Sequence, residues 1–361
     1  MQLYGVLPTS MIGSGGRGPD NVHMVENQAE EYIERAHDAG LKFDYILNAP
    51  SMGNMEWDEN THRELLEHLR WITSLGVDSV TVTIPYLIEL IKRQFPHLEV
   101  RVSTIAHVNS VARARFYESL GVDSITLDFN INRDFTLLKA IRNAVNCQLT
   151  VLLNNLCLYQ CPYEYYHHDT LGHASQSYNR LNGYYEDYCV LRCTLDRLYD
   201  ISQIIKCRWV RPEDIHLYEE IGIDMFKTSG RSMSAERILH AATTYSSRHY
   251  QGDLYDILNV ITPKIGSMNS ALPGVQNGVI GQPPRFYIDN QALEGFLDFF
   301  KKQNCLSGCG NCGYCQQIAD KVIKFDREEV DEYIAMLNAS LDNLSTSRIF
   351  KVKAGVRKHL H

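Results

Sequence analysis

The sequence predicts an α/β protein of the (β/α)8 class, a TIM-like barrel either complete or short of a unit, with a Cys-rich insertion and a helical C-terminal appendage. Three observations lead there. A helical stretch that closes on a glycine and runs straight into a β-branched segment recurs at Gly40, Gly76, Gly121 and Gly222. Strand-like apolar runs alternate with helical periodicity from residue 3 to residue 247. The 361 residues, 44% hydrophobic and 22% charged, are enough for one large core. A doubly wound open sheet gives a similar alternation and is the competing architecture.

The expected strands are 3–7, 44–48, 79–83, 99–104, 124–128, 149–154, 208–211 and 224–228, each a short run rich in Val, Ile, Leu or Thr. Helices are expected near 22–39, 58–74, 85–95, 108–120, 132–145, 195–206, 212–221 and 234–247. At the four junctions the glycine is a helix C′ residue in the left-handed region, and the run after it reads as a buried parallel strand. Residues 155–207 break the rhythm with Tyr, His and Cys, so the chemistry is expected in that insertion. Past residue 262 the pattern turns to Gly, Pro and Asn, then to helices at 290–303, 315–324 and 327–343. The domains read as a barrel over 1–262 and an appendage over 263–361.

A formal charge of −8, from 35 Lys+Arg against 43 Asp+Glu, argues against binding nucleic acid by charge. The tail cluster Lys351, Lys353, Arg357 and Lys358 reads as a solvated terminus. No apolar run is long enough to span a membrane, and Met1-Gln-Leu-Tyr-Gly-Val6 does not resemble a signal peptide, so a cytoplasmic protein is expected. In that compartment, ten cysteines point to metal binding rather than disulfides.

The cysteines fall into two constellations. Cys157-x3-Cys161-Pro162 follows the strand at 149–154, and Cys189-x3-Cys193 lies about thirty residues on. Four thiols at a strand end can converge on a 4Fe-4S cluster, with structural zinc or unligated buried cysteine as alternatives. Cys207 is a reserve ligand, and Cys147 reads as core. Cys305, Cys309, Cys312 and Cys315 form a Gly-rich group that suits a second 4Fe-4S cluster or zinc. Its first three have the CxxxCxxC spacing of radical S-adenosylmethionine enzymes, but lie outside the barrel rather than after its first strand.

Residues just past the strands would form the active face: Asn48, Ser103, Thr104, His107, Asp128, Asn154, Asn155, Lys227 and Arg231. Lys227 and Arg231 suit a carboxylate or phosphate. His167 and His168, with Asp169 and His173, are candidate proton carriers or ligands, set against surface histidines of a long loop. The loop Gly13-Ser-Gly-Gly-Arg-Gly18 can cradle an anion through its amides, with Arg17 adding charge, or serve as a flexible turn. HExxH and GxSxG are absent from the sequence.

Taken together, several segments resemble peptidase family U32, the collagenase-like peptidases. They are Tyr4-Gly5 before a Gly-Gly-Arg loop, Leu47-Asn48, Ser103-Thr104, Asn154-Asn155-Leu156-Cys157-x3-Cys161-Pro162, Trp209-Val-Arg211-Pro212-Glu213-Asp214-Ile215 and Phe226-Lys227-x2-Gly230-Arg231. The resemblance spans roughly residues 1–247 and implies a barrel-like fold with a 4Fe-4S cluster. Carried over residue by residue, the ligands would be Cys157, Cys161, Cys189 and Cys193. Despite the family's name, it implies oxygen-independent hydroxylation, known in relatives for the ubiquinone ring, tRNA uridine and ribosomal RNA cytidine, with prephenate as hydroxyl source in the RNA branch. Relatives usually place a strand and helix before the segment matching Tyr4-Gly5, so an incomplete or rearranged barrel is expected. The group at 305–315 is not part of the family pattern and suggests electron transfer or partner docking.

The resulting expectation is an iron–sulfur enzyme modifying a small molecule or peptide rather than RNA. A metal-dependent peptidase and a non-catalytic iron–sulfur subunit working with a protein partner or electron donor are the alternatives.

Overall fold

A computed structural model of the chain describes residues 1–7, 10–16, 26–179, 185–223, 225–231, 233–265, 278–302, 305, 309 and 311–346. Arg17 and Gly18 of the Gly-rich loop, Gly266 and the basic tail lie outside them. Seven parallel strands form one sheet in sequential order: β1 (Gln2–Gly5), β2 (Lys42–Leu47), β3 (Ser79–Val82), β4 (Glu99–Val102), β5 (Ser124–Thr126), β6 (Gln148–Leu152) and β7 (Met225–Lys227). An order that never reverses excludes the doubly wound alternative. The sheet curls so far that the Tyr4 hydroxyl of β1 donates to Thr228 O just past β7 at 3.0 Å. Among the described residues no backbone ladder joins these two edges, so the barrel is incomplete.

Helices cover the outside: α1 (Glu26–Asp38), α2 (Glu59–Ser74), α3 (Pro85–Gln94), α4 (Val111–Ser119) and α5 (Phe135–Arg142) follow β1 to β5. The repeated junction is what the sequence implied. Gly40, Gly76, Gly121 and Gly222 have φ of 73°, 76°, 82° and 93°, a region that side chains with a Cβ resist. The Asp after two of them has a shared task. Asp78 accepts from Phe43 N at 2.7 Å and Asp123 from Val100 N at 2.8 Å, so each satisfies the free amide of the neighbouring strand.

The strands are not uniformly apolar. Strand register places Phe43, Tyr45, Val80, Val82, Val100, Val102, Ile125, Leu149 and Val151 on the helix-facing side, where they are buried. The opposite side carries Tyr4, Asp44, Ser79, Thr81, Arg101, Ser124, Thr150 and Lys227. These form a polar lumen, with Thr81 and Ser79 donating to Asp44 at 2.6 and 2.9 Å and Arg101 Nε to Ser79 at 3.1 Å. Apolar layers normally fill such a barrel.

The segment 208–211 is not a strand, contrary to the sequence expectation. Val210 N reaches Leu153 O at 2.7 Å, yet β6 already pairs with β7. The carbonyls of 208, 209 and 210 accept instead from Asn132 Nδ2, Arg133 Nη2 and the Tyr245 hydroxyl, and Pro212 follows.

The insertion is helical beyond the helix expected near 195–206: α6 (Glu164–Ala174) carries the histidines expected on a long loop, followed by α7 (Tyr188–Tyr199) and α8 (Ser202–Lys206). Two further helices, α9 (Ile215–Glu219) and α10 (Ala235–Ser247), flank β7. The appendage adds the two-residue strands β8 (Lys264–Ile265) and β9 (Gly278–Val279), the antiparallel pair β10 (Phe286–Ile288) and β11 (Ile323–Phe325), and helices α11 (Asp298–Lys302), α12 (Tyr314–Val322) and α13 (Arg327–Ser345). Helix α12 packs on α8 and α13 on α7, and one apolar core runs from the barrel helices into the appendage.

Arg211 fastens the two parts. It is buried, donates to Asn290 Oδ1 at 3.1 Å and Leu293 O at 2.8 Å, and pairs with Glu213 and Asp214. Arg211→Met leaves those acceptors buried without their donor and should cost about 3–5 kcal/mol. Urea unfolding of the full chain measures this, and a loss below about 1 kcal/mol would show that the contact does not fasten the appendage.

Candidate active site at the mouth of the curled sheet

The C-terminal ends of the strands bring three groups of side chains together. The first surrounds the Gly-rich loop after β1. Asn48, at the end of β2, accepts from Ser14 Oγ at 3.1 Å and Gly15 N at 3.2 Å and donates to Ser103 Oγ at 3.0 Å. Arg231 crosses from the loop after β7 and donates to Ser14 Oγ at 3.0 Å. Its guanidinium lies so close to Gly16 that any Cβ there would collide with it. Asn154, fully buried, holds this loop by accepting from Ser229 N at 2.7 Å and donating to Ser229 O at 2.9 Å. Sequence reasoning chose Asn48, Ser103, Asn154 and Arg231 from their strand-end positions, and the structure joins them into one framework. Thr104 instead binds Leu127 O, and Asn155 forms an isolated bridge to Asn259.

Lys227 sits beside this framework with its ammonium 4.1 Å from the centre of the Tyr4 ring. Burial pulls its pKa down to about 8, with Asp44 opposing and Arg231 and Arg101 adding to the fall. Burial likewise raises Asp44, against the pull of Lys227.

The second group is His107, Asp128 and Glu164, all buried. His107 follows β4, Asp128 follows β5, and Glu164 opens α6. His107 Nδ1 lies 3.5 Å from Asp128 Oδ2 and 3.8 Å from Glu164 Oε1. Asn109 and Asn130 hold the carboxylates: Asn109 Nδ2 donates to Asp128 at 3.0 Å, while Asn130 donates to Asp128 at 2.8 Å through N and to Glu164 at 3.4 Å through Nδ2. Burial raises Glu164 to about 7, with His107 opposing and Asp128 adding to the rise.

Of the two histidines singled out from the sequence, His168 turns toward this centre. Its Nδ1 is 2.6 Å from Gly15 O, and burial lowers its pKa to about 4. A neutral ring facing a carbonyl carries its proton on Nδ1, which leaves Nε2 as the basic nitrogen. His167 stacks on His168 with ring centres 5.8 Å apart, while His173 and Asp169 face each other on the exposed side of α6.

The third group is sulfur. Cys157 and Cys161 lie on the loop after β6, and Cys189 and Cys193 sit one turn apart on α7. All four thiols are raised, first by burial: Cys157 well above its ordinary value, Cys161 and Cys189 to about 12. Charge on Cys193 would raise the other three, so the four are neighbours. No three of their sulfurs lie mutually within 4.8 Å. Glu164 raises both Cys157 and Cys161, which places the sulfur group against the carboxylate group.

Arg197 stands one further turn along α7. It is buried, donates to Leu156 O at 2.7 Å and Thr194 Oγ1 at 3.1 Å, and faces Cys193, Cys207 and Cys157. Among the described residues no carboxylate pairs with it. Cys207 lies between this group and a second, being influenced by Arg197 and Cys193 on one side and by Arg133 and Arg208 on the other.

The four-Cys motif of the appendage lies beyond. Cys305 is half-buried, Cys309 and Cys312 are exposed and Cys315 is buried. Arg208 Nη2 is 3.7 Å from Cys305 Sγ, and its guanidinium covers the Tyr159 ring at 3.7 Å. Cys315 feels Arg133, whose own pKa falls to about 10 through burial and the charge on Arg208. The Nε atoms of both arginines are buried without a partner. Cys147 stands apart, half-buried near Glu118.

Sequence reasoning missed Glu164 and the arginines. The signal for Arg197 was present, since Cys189, Cys193 and Arg197 share an i, i+4, i+8 stripe. Because its folded pKa lies below the ordinary lysine value of about 10.4, the burial of Lys227 costs stability below about pH 8. That cost is relieved as pH rises from there toward the unfolded value. Acylation of Lys227, followed by peptide mass mapping, should rise with a midpoint near pH 8, and a midpoint near 10.4 would contradict this environment.

The family model of peptidase family U32 matches residues 19–251. An uncharacterized protease of Methanocaldococcus jannaschii is 33% identical over 303 residues, covering 81% of this chain and 80% of its own length. Among solved structures, a U32 peptidase superposes with a TM-score of 0.48 at 22% identity, covering 62% of this chain and 83% of that one. FabK from Thermotoga maritima superposes with a TM-score of 0.24 at 15% identity, covering 42% and 45%. The match over residues 19–251, together with the identity to the archaeal relative, shows that the chain belongs to peptidase family U32.

Proposed function

We propose that the protein is an iron–sulfur enzyme that carries out an oxygen-independent hydroxylation, or a related redox modification, of a small molecule or peptide bearing an anionic group. The observation that carries this reading is Arg197, a buried guanidinium set among thiols with, among the described residues, no carboxylate to neutralise it. Four thiols that cannot ionise alone in this burial fit a metal centre that holds them as thiolates, and such a centre is anionic.

Cys157, Cys161, Cys189 and Cys193 would hold a 4Fe-4S cluster, with Cys207 adjacent as an alternative ligand. The cluster supplies one-electron or Lewis-acid chemistry when bound. The chain's own residues do the rest. Arg231 presents a guanidinium to a carboxylate or phosphate beside the Gly15 amide, and Lys227 adds a second cation when protonated. His168 Nε2 is placed to take a proton, its ring fixed by the Gly15 carbonyl. Helix α6 lies against the loop after β1, with His168 Nδ1 on Gly15 O.

Cys305, Cys309, Cys312 and Cys315 would hold a second 4Fe-4S cluster or zinc against Arg208 and Arg133. With Cys309 and Cys312 exposed, that centre would sit at the surface, within reach of an electron donor or other protein partner.

Anaerobic purification with iron, acid-labile sulfide and zinc counted per chain tests the reading. About eight iron and eight sulfide are expected, falling by about half in Cys157→Ala and in Cys309→Ala. Zinc in place of iron at both groups would overturn the redox assignment.

A further inference from the structure

We propose that His107, Asp128 and Glu164 form a binding site for a divalent first-row cation, separate from both cysteine groups. Their donor atoms converge from three different elements. His107 Nδ1 is 3.5 Å from Asp128 Oδ2 and 3.8 Å from Glu164 Oε1, and all three ligand atoms lie within 4.8 Å of one another. A cation about 2.0–2.2 Å from each donor in tetrahedral geometry requires edges of about 3.4 Å, which small movements of these side chains supply.

Charge makes the same case. Two carboxylates are buried here at 2% and 8% exposure, and among the described residues no Lys or Arg pairs with either. With Glu164 ionised, even a protonated His107 leaves a net negative charge, and buried charge of this kind is retained where it is paired or coordinates a metal. The contrast with the rest of the mouth is sharp: the guanidiniums of Arg231 and Arg197 face the anion framework and the sulfurs, not these carboxylates.

The outer shell is built as metal sites require. Asn130 N and Nδ2 both donate to Asp128 Oδ1 at 2.8 and 2.9 Å, and Asn130 Nδ2 reaches Glu164 Oε2 at 3.4 Å. Asn130 holds the outer oxygens while Asp128 Oδ2, which also accepts from Asn109 Nδ2 at 3.0 Å, and Glu164 Oε1 face His107. Three protein donors leave coordination positions open to water or substrate. One nitrogen with two carboxylates suits Mn²⁺, Fe²⁺ or Zn²⁺ rather than a thiophilic ion.

The test uses Mn²⁺, which thiolates bind poorly, so that the cysteine groups do not contribute. The anaerobically purified full chain, freed of loosely held metal, is titrated with Mn²⁺ while the EPR signal of the free aqua ion is followed. One saturable site per chain is expected, weakened at least tenfold in both Glu164→Gln and Asp128→Asn. A rise in melting temperature with Mn²⁺ is expected in the wild type and not in the variants. The metal-free melting temperature and iron content of Glu164→Gln show that it is folded, and His107→Asn provides a second variant should it not be. Absence of saturable binding at millimolar Mn²⁺, or unchanged affinity in a folded variant, would overturn the site.

Discussion

Buried positive charge without carboxylate partners is the constraint on which the rest of this structure depends. Arg197, Arg133 and Arg208 are each at most 9% exposed, and among the described residues none pairs with an Asp or Glu. The chain as a whole carries eight more acidic than basic residues, so carboxylates are not scarce. A guanidinium removed from water costs several kcal/mol unless something opposes its charge. Arg133 lies over the rings of Trp209, Phe296 and Phe300 and Arg208 over that of Tyr159, and sulfur lies near all three: Cys193, Cys207 and Cys157 around Arg197, Cys305 and Cys315 around the other two. In the proposed reading, the arginines and the raised thiols are complementary halves of one electrostatic arrangement, which metal-held thiolates would complete.

The fold places this arrangement by alternation within the strands. Val and Ile face the helices and hold the sheet, while Ser and Thr at every second position line a polar lumen leading to Lys227 and the Arg231 framework. Small polar side chains leave the interior able to carry Asp44, Arg101 and Lys227, which an apolar filling would not tolerate. Beyond the strand ends, opposite charges are kept apart. Guanidiniums lie toward the loops after β1 and β7 and toward α7, and the two carboxylates lie at the ends of β5 and the start of α6.

Much of the fold was legible because the helix–Gly–strand junction is a local device repeated with nearly the same residues. Ser74-Leu-Gly-Val-Asp and Ser119-Leu-Gly-Val-Asp differ at no position, and each ends on an aspartate that satisfies its neighbour's strand. The segment 208–211 misled because its apolar residues look like a strand, whereas side chains of Asn132, Arg133 and Tyr245 take its carbonyls, a tertiary effect no local pattern carries. The lumen is readable in the Ser/Thr alternation of 79–82 and 124–126, whereas the junction pattern alone implies a buried parallel strand. At the mouth, strand-end positions identified His107, Asp128, Lys227 and Arg231. Glu164 was hidden because the segment opening α6 resembled a loop, and the arginines because a charged residue is by default a surface residue.

Reduction potential and iron retention in Arg197 variants test the account most directly. Anaerobic redox titration of the full chain, wild type against Arg197→Met and Arg197→Lys, asks whether that buried charge opposes an anionic sulfur centre. Arg197→Met should bind less iron, and what remains should reduce at a potential more negative by tens of millivolts, because the added electron loses its neighbouring cation. Arg197→Lys should recover most of both. Equal iron content and equal potential in Arg197→Met and wild type would contradict the account, leaving Arg197 as a packing residue alone.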